Sequence, residues 1–178
     1  ITQTLIEQID HLSAIATEFS NFAKMPRTKN EEVDLKEKII KISKLFQSTE
    51  DIEIQATFLN TVPAVVLADR EQLSRIFINL VKNAIQAIPE DRNGKISISL
   101  ETTENNAIVK VMDNGRGIPV ELGDKLFQPN FTTKSSGMGM GLAIVKNIIE
   151  HAGGEIRYDT VPGKGTTFIV ELPLHITL

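Results

Sequence analysis

The stretch DREQLSRIFINLVKNAIQAI, residues 69–88, decides the fold. Its apolar residues recur every three or four positions, which predicts a long helix with one buried face. Asp69 is suited to cap the first turn of this helix, and Pro89 ends it. The residues predicted for the buried face are Leu73, Ile76, Phe77, Leu80, Val81, Ala84 and Ile88.

Short stretches of alternating apolar and polar residues lie on both sides of this helix and predict β-strands. A second helix is expected to begin at Asp34, with Glu37 three residues on as in a capping box, and a third spans residues 139–151. The predicted fold class is therefore α/β, a two-layer α/β sandwich in which helices cover one face of a mixed, mostly antiparallel sheet. The predicted strands are residues 52–58, 65–67, 95–103, 107–112, 155–160 and 166–172.

The first 26 residues predict one long helix that carries a heptad seam and ends at Met25-Pro26. Such a seam is typical of a coiled coil or a helical bundle, and an amphipathic helix packed on its own domain is the alternative. We expect residues 27–33 to be a linker and residues 34–178 to be one domain. Because the chain begins inside a helical pattern and without Met, we expect it to be a piece of a longer protein. The seam residues are Leu5, Ile9, Leu12, Ala16, Phe19 and Ala23.

The composition excludes several kinds of function. The net charge of −4 argues against a broad nucleic-acid-binding surface, so no nucleic-acid partner is expected. The chain has no cysteine, which rules out disulfides, thiolate metal ligands and thiol nucleophiles. No apolar run approaches the roughly 20 residues that span a bilayer.

A glycine-rich loop, Gly137-Met-Gly-Met-Gly-Leu142, opens directly into the predicted third helix. Glycine lets the backbone approach a ligand closely, and free amides at a helix N-terminus bind anions. Taken alone, the loop fits a phosphate-binding loop and an ordinary turn equally well. A Rossmann fingerprint fits poorly because Leu142 stands where Gly or Ala is needed, and a Walker loop fails because Gly-Lys-Ser/Thr is absent.

Two further groups of residues carry candidate chemistry. Asn79 and Asn83 lie four residues apart, so they share one face of the long helix, and an amide oxygen is a suitable Mg²⁺ ligand. Two solvated asparagines are the alternative. Asp113 ends a predicted strand and begins Asp113-Asn-Gly-Arg-Gly117. Its carboxylate can accept a hydrogen bond from an adenine amino group, with the glycines letting the base lie against the backbone; a tight turn is the alternative.

Five motifs in this order resemble the sequence boxes of the histidine protein kinases. Each motif is weak or moderate alone, but the ordered set, from about Asp69 to Leu172, is very specific. The wider superfamily includes type II topoisomerase, heat-shock chaperone and mismatch-repair ATPases. The motifs are Asn79-Leu-Val-Lys-Asn83-Ala (N box), Asp113-Asn-Gly-Arg-Gly117-Ile118-Pro (G1 box), Phe127-Gln-Pro-Asn-Phe131-Thr-Thr-Lys134 (F box), Gly137-Met-Gly-Met140-Gly141-Leu142 (G2 box) and Gly163-Lys-Gly165-Thr166.

The resemblance implies ATP and Mg²⁺ as cofactors and assigns roles by position. Asn83 would ligate Mg²⁺, Asn79 and Lys134 would lie near the phosphates, and Asp113 would read the adenine amino group, helped by Gly117 and by Thr166 through water. Phe131 would pack near a lid, and Lys82 and Arg116 would flank the site or face solvent. The implied cofactor-binding residues are Asn79, Asn83, Asp113, Gly115, Gly117, Ile118, Lys134, Gly137, Gly139, Met140, Gly141, Leu142 and Thr166, with Asn83 as the metal ligand.

Position 79 distinguishes transfer of phosphate from hydrolysis. In the hydrolysing relatives a Glu at the position of Asn79 acts as general base on water, and Asn cannot take up a proton. The residue therefore favours holding ATP for transfer. A Ser kinase, a conformational ATPase and a catalytically silent nucleotide-binding module are the alternatives. The Thr132-Thr133-Lys134 ending resembles the nitrogen-regulatory branch of these kinases.

The acceptor histidine of the family is missing from this chain. His11 is followed by neither an acidic residue nor Asn-Pro, His151 lies at a helix end, and His175 lies in the tail. Residues 1–26 resemble the second helix of the dimerisation hairpin, so the acceptor is expected upstream. We expect no self-phosphorylation by this chain. The resemblance implies a homodimer in the full-length protein, a cognate response regulator as partner, and a cytoplasmic domain anchored to the bacterial inner membrane.

Overall fold

The structure is a computed structural model that describes residues 28–59, 63–129 and 140–175. The predicted heptad helix, residues 1–26, lies outside the described residues, as do Phe131, Lys134, Gly137 and Gly139. The division of the chain at residues 26 and 33 stays a prediction.

A five-stranded sheet forms one layer of the molecule. Its strands are β2 (Ile52–Phe58), β4 (Gly94–Thr102), β5 (Asn106–Asp113), β6 (Glu155–Val161) and β7 (Gly165–Pro173). Their order is β2-β4-β5-β7-β6, with β2 and β4 parallel and the other neighbours antiparallel. The sheet contains the predicted hairpins, and each boundary lies within one residue of the prediction.

Three helices form the second layer: α1 (Leu35–Leu45), α2 (Arg70–Ala87) and α3 (Gly141–His151). Six of the seven side chains predicted for the buried face of α2 lie in the core between helices and sheet. The seventh, Ile88, was wrongly included, because the helix ends at Ala87 and Ile88 is its half-buried C-cap. The two-layer α/β sandwich is confirmed. None of the helices in the described part of the chain is long and apolar enough to cross a membrane. The buried residues of α2 are Leu73, Ile76, Phe77, Leu80, Val81 and Ala84.

A separate two-stranded sheet was not predicted. It pairs β1 (Asn30–Asp34) with β3 (Val65–Asp69) in antiparallel register, so part of the predicted linker is a strand. The sequence of β1, NEEVD, contains a single apolar residue, Val33, which is also the one buried residue of the strand. It therefore lacks the alternation of apolar and polar residues by which strands are recognised. The ion pair between Arg70 Nε and Glu31 Oε1, 2.6 Å long, adds to the contact with α2.

The connection that follows β5 contains a short helix that was not predicted. A 3₁₀ helix occupies Val120–Lys125 within it. Pro119 precedes this helix, and the amide of Leu122 donates to the Pro119 carbonyl. Short 3₁₀ segments are common connectors and carry no strong apolar periodicity, which explains why the sequence analysis missed this one.

Asp34 and Asp69 cap α1 and α2, as predicted. Oδ1 of Asp69 accepts hydrogen bonds from the amides of Glu71 (2.9 Å) and Gln72 (3.0 Å), and its Oδ2 accepts one from the amide of Lys29 (3.1 Å). Asp34 caps only its own helix. Burial acts to raise the pKa of Asp69, but the three backbone hydrogen bonds outweigh it and lower that pKa. The Asp69 carboxylate thus joins the chain before β1 to the start of α2.

The glutamate predicted to complete a capping box at Asp34 has another partner. The Glu37 carboxylate forms an ion pair with Lys41 one turn further along α1. Both side chains are more than half exposed, so this pair adds little stability.

We predict that Asp69→Ala lowers the free energy of unfolding by about 1–2 kcal/mol, more than the matched variant Asp34→Ala. Both variants lose a helix cap, but only Asp69→Ala also loses the bond to the Lys29 amide. Urea unfolding measures both losses. Because the folded pKa of Asp69 is lowered, its contribution is present above the unfolded value and is lost as pH falls through the folded value. Equal losses in the two variants would contradict the bridging role.

Candidate functional site

Asp113, the last residue of β5, lies at the centre of the candidate site. Its side chain is 5% exposed. One oxygen, Oδ1, accepts hydrogen bonds from the amides of Gly115 (2.8 Å) and Thr166 (3.3 Å). Within the described residues, no donor contacts the other oxygen, Oδ2. The carboxylate is therefore fixed through one oxygen and has the second available for another donor.

Burial raises the pKa of Asp113, and the two amide hydrogen bonds oppose the rise only in part. No Lys or Arg in the described ranges forms an ion pair with this carboxylate. A buried carboxylate without a cationic partner is unfavourable for folding, and such groups are common at functional sites.

The two glycines that follow Asp113 are needed because protein backbone packs against them. A Cβ on Gly115 would lie 2.6 Å from the carbonyl oxygen of Ala87, at the end of α2. Gly117 has φ of 69°, and a Cβ there would overlap the carbonyl of Val161. In the sequence, these glycines are predicted to let a base lie against the backbone. In the structure they also make room for the backbone of Ala87 and Val161, which packs against this turn.

Thr166 and Gly165 lie at the start of β7, beside Asp113. Thr166 is buried, and Gly165 has φ of 134° with no space for a Cβ beside the backbone of Asp113. Thr160, which the sequence analysis missed, accepts a hydrogen bond from the amide of Ile118 (2.9 Å). Its Oγ1 also lies 3.0 Å from Oγ1 of Thr166. A Thr in an alternating strand has no local signal that distinguishes this role from an ordinary exposed position.

Asn79 and Asn83 lie half-buried on one face of α2, as predicted. The Asn79 amide nitrogen donates to the carbonyl of Arg75 (2.9 Å), one turn back. A Cβ on Gly141, the first residue of α3, would lie 3.3 Å from Oδ1 of Asn79. The side chain thus presents its acceptor oxygen to the start of α3.

The start of α3 brings the last part of the predicted glycine-rich motif to α2. Met140 stands at the N-cap without a side-chain cap, so the first amides of α3 lack the side-chain acceptor that often satisfies them. Met140 and Leu142 both pack against the core. Asn79 and Ala87 are eight residues apart, so helix geometry separates the two ends of the site by about 12 Å.

Four other residues noted in the sequence have described positions. Lys82 and Arg116 are exposed, in agreement with the alternative that they face solvent. His151 ends α3, and its Nδ1 lies 2.8 Å from the carbonyl of Asn147. Nε2 of His175 lies 3.3 Å from a carboxylate oxygen of Glu32.

An aromatic cluster anchors the chain that leads toward residue 130. The Phe127 and Tyr158 rings lie 6.0 Å apart, and those of Tyr158 and Phe168 lie 6.2 Å apart. Lys146 of α3 places its ammonium 5.8 Å from the centre of the Phe127 ring. Phe127, the first residue of the predicted F box, is therefore held between β6 and α3.

The described residues of this site lie within a stretch of the chain that matches a known protein family. Residues 68–176, more than half of the chain, match the family described as histidine kinase-, DNA gyrase B- and HSP90-like ATPase. The chain is 33% identical to the sensor histidine kinase ZraS of Escherichia coli over 180 residues, which cover 99% of this chain and 38% of that kinase. The chain thus spans less than half the length of this relative.

Solved structures of histidine kinases also resemble this chain. The catalytic domain of histidine kinase ThkA is 38% identical, with a TM-score of 0.73 over 82% of this chain and 96% of that one. ThkA in complex with the response regulator TrrA superimposes with a TM-score of 0.78, at 32% identity, over 97% of this chain and 50% of that one. The chain belongs to the histidine kinase-, gyrase B- and HSP90-like ATPase family and carries a histidine-kinase catalytic domain, an ATP-binding module. The nitrogen-regulatory branch stays a prediction.

We predict that Asp113→Asn stabilises the nucleotide-free domain at pH 7 by on the order of 1 kcal/mol. Asn keeps an acceptor for both amides and removes the buried charge. Because the folded pKa is raised, the charge destabilises the domain fully above that pKa, and the cost disappears as pH falls to the unfolded value. The advantage of the variant should therefore shrink on acidification.

Thermal unfolding of the wild type, Asp113→Asn and Asp159→Asn between pH 4 and pH 7 tests this prediction. Asp159 is an exposed carboxylate on β6 and serves as the matched control, for which no change is expected. Lower stability of Asp113→Asn at pH 7, or a difference that does not depend on pH, would show that the buried charge is not the cause.

Proposed function

We propose that this chain is the ATP-binding catalytic part of a two-component sensor histidine kinase, which holds Mg-ATP for transfer to a histidine outside the chain. The observation that carries the proposal is the Asp113 carboxylate, buried, fixed through Oδ1 and without a donor at Oδ2 among the described residues. Such an oxygen suits the amino group of adenine, which is a neutral donor.

The adenine end of the pocket would consist of Asp113 and the backbone around it. Gly115 and Thr166 hold the carboxylate, and Gly117 and Ile118 continue the same turn. The hydroxyl of Thr166 lies near Thr160 and would reach the base through a water molecule. A carboxylate at this position repels the carbonyl oxygen that guanine carries in place of the amino group, so the site should prefer adenine.

The phosphate end would lie where α2 meets the start of α3. Asn79 and the first amides of α3 are neighbours there, and Asn83 lies one turn further along α2 on the same face. Gly141 and Leu142 continue from Met140, and the proposal extends to Lys134, Gly137 and Gly139. Uncapped amides at a helix N-terminus favour anionic phosphate.

Binding of Mg²⁺ would depend on the Asn83 side chain and on the phosphates of the nucleotide. Among residues 28–59, 63–129 and 140–175, no three Asp, Glu or His side chains lie together in a way that could hold a metal ion. Mg²⁺ commonly keeps waters and phosphate oxygens and takes few protein ligands, so one amide oxygen fits this chemistry. When bound, Mg-ATP supplies the phosphoryl group.

Asn79 supports storage of ATP over its hydrolysis. Its amide nitrogen is engaged with the Arg75 carbonyl, and its oxygen faces α3. An amide cannot remove a proton from water, so this position lacks the general base of the hydrolysing relatives. Phosphoryl transfer would rest on position and charge compensation, which suits a kinase.

The remaining partners follow from the relatives. We propose that the acceptor histidine lies on a dimerisation hairpin upstream of residue 1 and that the full-length protein is a homodimer. We also propose that the phosphoryl group passes from this histidine to a response regulator. The complex of ThkA with TrrA supports the last point. The name of ZraS, a sensor histidine kinase, supports placing the domain in the cytoplasm of a protein anchored in the bacterial inner membrane.

We predict that Asn83→Ala weakens ATP binding roughly tenfold in Mg²⁺ and has little effect in EDTA, because the lost group ligates the metal and not the nucleotide. Isothermal titration in both buffers measures this difference. Asn105→Ala, at an exposed turn between β4 and β5, is the matched control and should bind as the wild type does. Equal weakening of Asn83→Ala with and without metal would contradict the assignment.

We predict that the chain transfers the labelled phosphoryl group of ATP to a separately prepared acceptor hairpin and does not label itself. Asp113→Asn should weaken ATP binding roughly 10- to 100-fold and reduce transfer accordingly. ATP binding and radiolabel transfer are measured side by side. Intact ATP binding without transfer to any cognate hairpin would overturn the kinase function, and unchanged affinity in Asp113→Asn would overturn the pocket assignment.

A further inference from the structure

Arg92 lies in the connection between α2 and β4 and contacts three backbone carbonyls with one nitrogen. Its Nη1 donates to the carbonyls of Asn114 (2.6 Å), Gly115 (3.0 Å) and Gly163 (3.3 Å). The side chain is half-buried. Among the described residues, Arg92 forms no ion pair with a carboxylate.

The three carbonyls belong to the two segments that hold Asp113. Asn114 and Gly115 form the turn after β5, whose Gly115 amide donates to Oδ1 of Asp113. Gly163 belongs to the turn between β6 and β7, and the Thr166 amide at the start of β7 is the second donor to that oxygen. One guanidinium nitrogen therefore joins both sources of the hydrogen bonds that orient the carboxylate.

Neighbouring contacts fix Arg92 itself relative to the site. The Arg92 amide donates to the carbonyl of Pro89 (3.1 Å), which shapes the turn after α2. The side chain of Asn114 accepts from the amide of Lys95 (2.8 Å) and donates to the carbonyl of Asn93 (3.0 Å). The turn after β5 is thus attached to the residues that directly follow Arg92, and the guanidinium extends that attachment to the β6–β7 turn.

The geometry points to a positional effect on Asp113. A nearby cation would lower the pKa of the carboxyl, whereas burial keeps it raised, and Arg92 is not among the groups that perturb it. The guanidinium instead satisfies carbonyls that converge from two turns. Arg suits this contact because its planar donors stay charged and its side chain is long enough to reach both turns.

We propose that Arg92 is a positioning residue that sets the affinity of the site for adenine nucleotides and its preference for adenine over guanine. This inference rests on the proposed ATP site. Without the guanidinium, the two turns can move apart, the Gly115 and Thr166 amides no longer hold Oδ1 together, and Oδ2 loses its direction. Contacts between Asp113 and adenine therefore weaken, while the phosphate end on α2 and α3 keeps its geometry.

Titration of ATP and GTP into the wild type, Arg92→Ala, Arg92→Lys and Arg157→Ala tests this inference. Arg157→Ala is the matched control, since Arg157 lies on β6 and pairs with Glu171 (3.2 Å) away from the two turns. We expect Arg92→Ala to weaken ATP roughly tenfold and GTP very little, so the preference for adenine narrows. Arg92→Lys should recover part of the loss, and Arg157→Ala should match the wild type.

Amide NMR spectra give a second readout. In Arg92→Ala the Gly115 and Thr166 resonances should both move, and those of residues in α2 near Asn79 should stay. All titrations are made well below the melting temperature of each variant, so a lower population of folded protein does not imitate weaker binding.

The outcomes separate this inference from the proposed function. If the wild type binds no ATP, the proposed function fails. If the wild type binds ATP, Asp113→Asn binds it much more weakly, and Arg92→Ala keeps the wild-type affinity and preference, the role of Arg92 alone is overturned. Equal weakening of ATP and GTP in Arg92→Ala would also overturn it, because a general loss of structure affects both.

Discussion

The buried carboxylate of Asp113 is the constraint on which the site depends. A charge 5% exposed and without a cationic partner among the described residues is unfavourable for folding, so the surrounding backbone must compensate for it. Two amides do so, and they come from turns that are about 50 residues apart in sequence, at Gly115 and Thr166. Both turns must therefore be in place before the carboxylate is oriented, which ties the binding function directly to the packing of β5, β6 and β7.

The same requirement explains the glycines and the polar side chains around the site. Gly115, Gly117 and Gly165 have no room for a Cβ because neighbouring backbone lies against them. Thr160 and Arg92 satisfy backbone groups that this close approach would leave without partners. The helix α2 serves both ends of the pocket, since its last turn supports the glycine turn and its middle carries Asn79 beside α3. In the proposed site, stability and binding oppose each other at Asp113, as is common where a site holds a strained or charged group.

Local sequence patterns predicted what depends on local contacts. The buried stripe of α2, the caps at Asp34 and Asp69 and the strands of the main sheet all have short-range signals, and the structure confirms them. The strand β1 and the role of Arg92 have no such signal, because the first pairs with a strand 35 residues further along the chain and the second contacts backbone oxygens of distant turns. The placement of Asp113, Asn79 and Asn83 could be predicted from the order of their motifs, whereas the reason for the glycines required the packed structure.

The proposed site depends above all on Oδ2 of Asp113 accepting a hydrogen bond from the adenine amino group. Purine riboside triphosphate, which lacks that amino group, tests it most directly. Its affinity and that of ATP are measured for the wild type and Asp113→Asn by isothermal titration. We predict that Asp113→Asn weakens ATP roughly 10- to 100-fold and leaves the weaker binding of the analogue nearly unchanged. The effect of removing the amino group and the effect of replacing the carboxylate are then not additive. Equal weakening of both nucleotides would contradict it, because the carboxylate would then act on the pocket and not on the amino group.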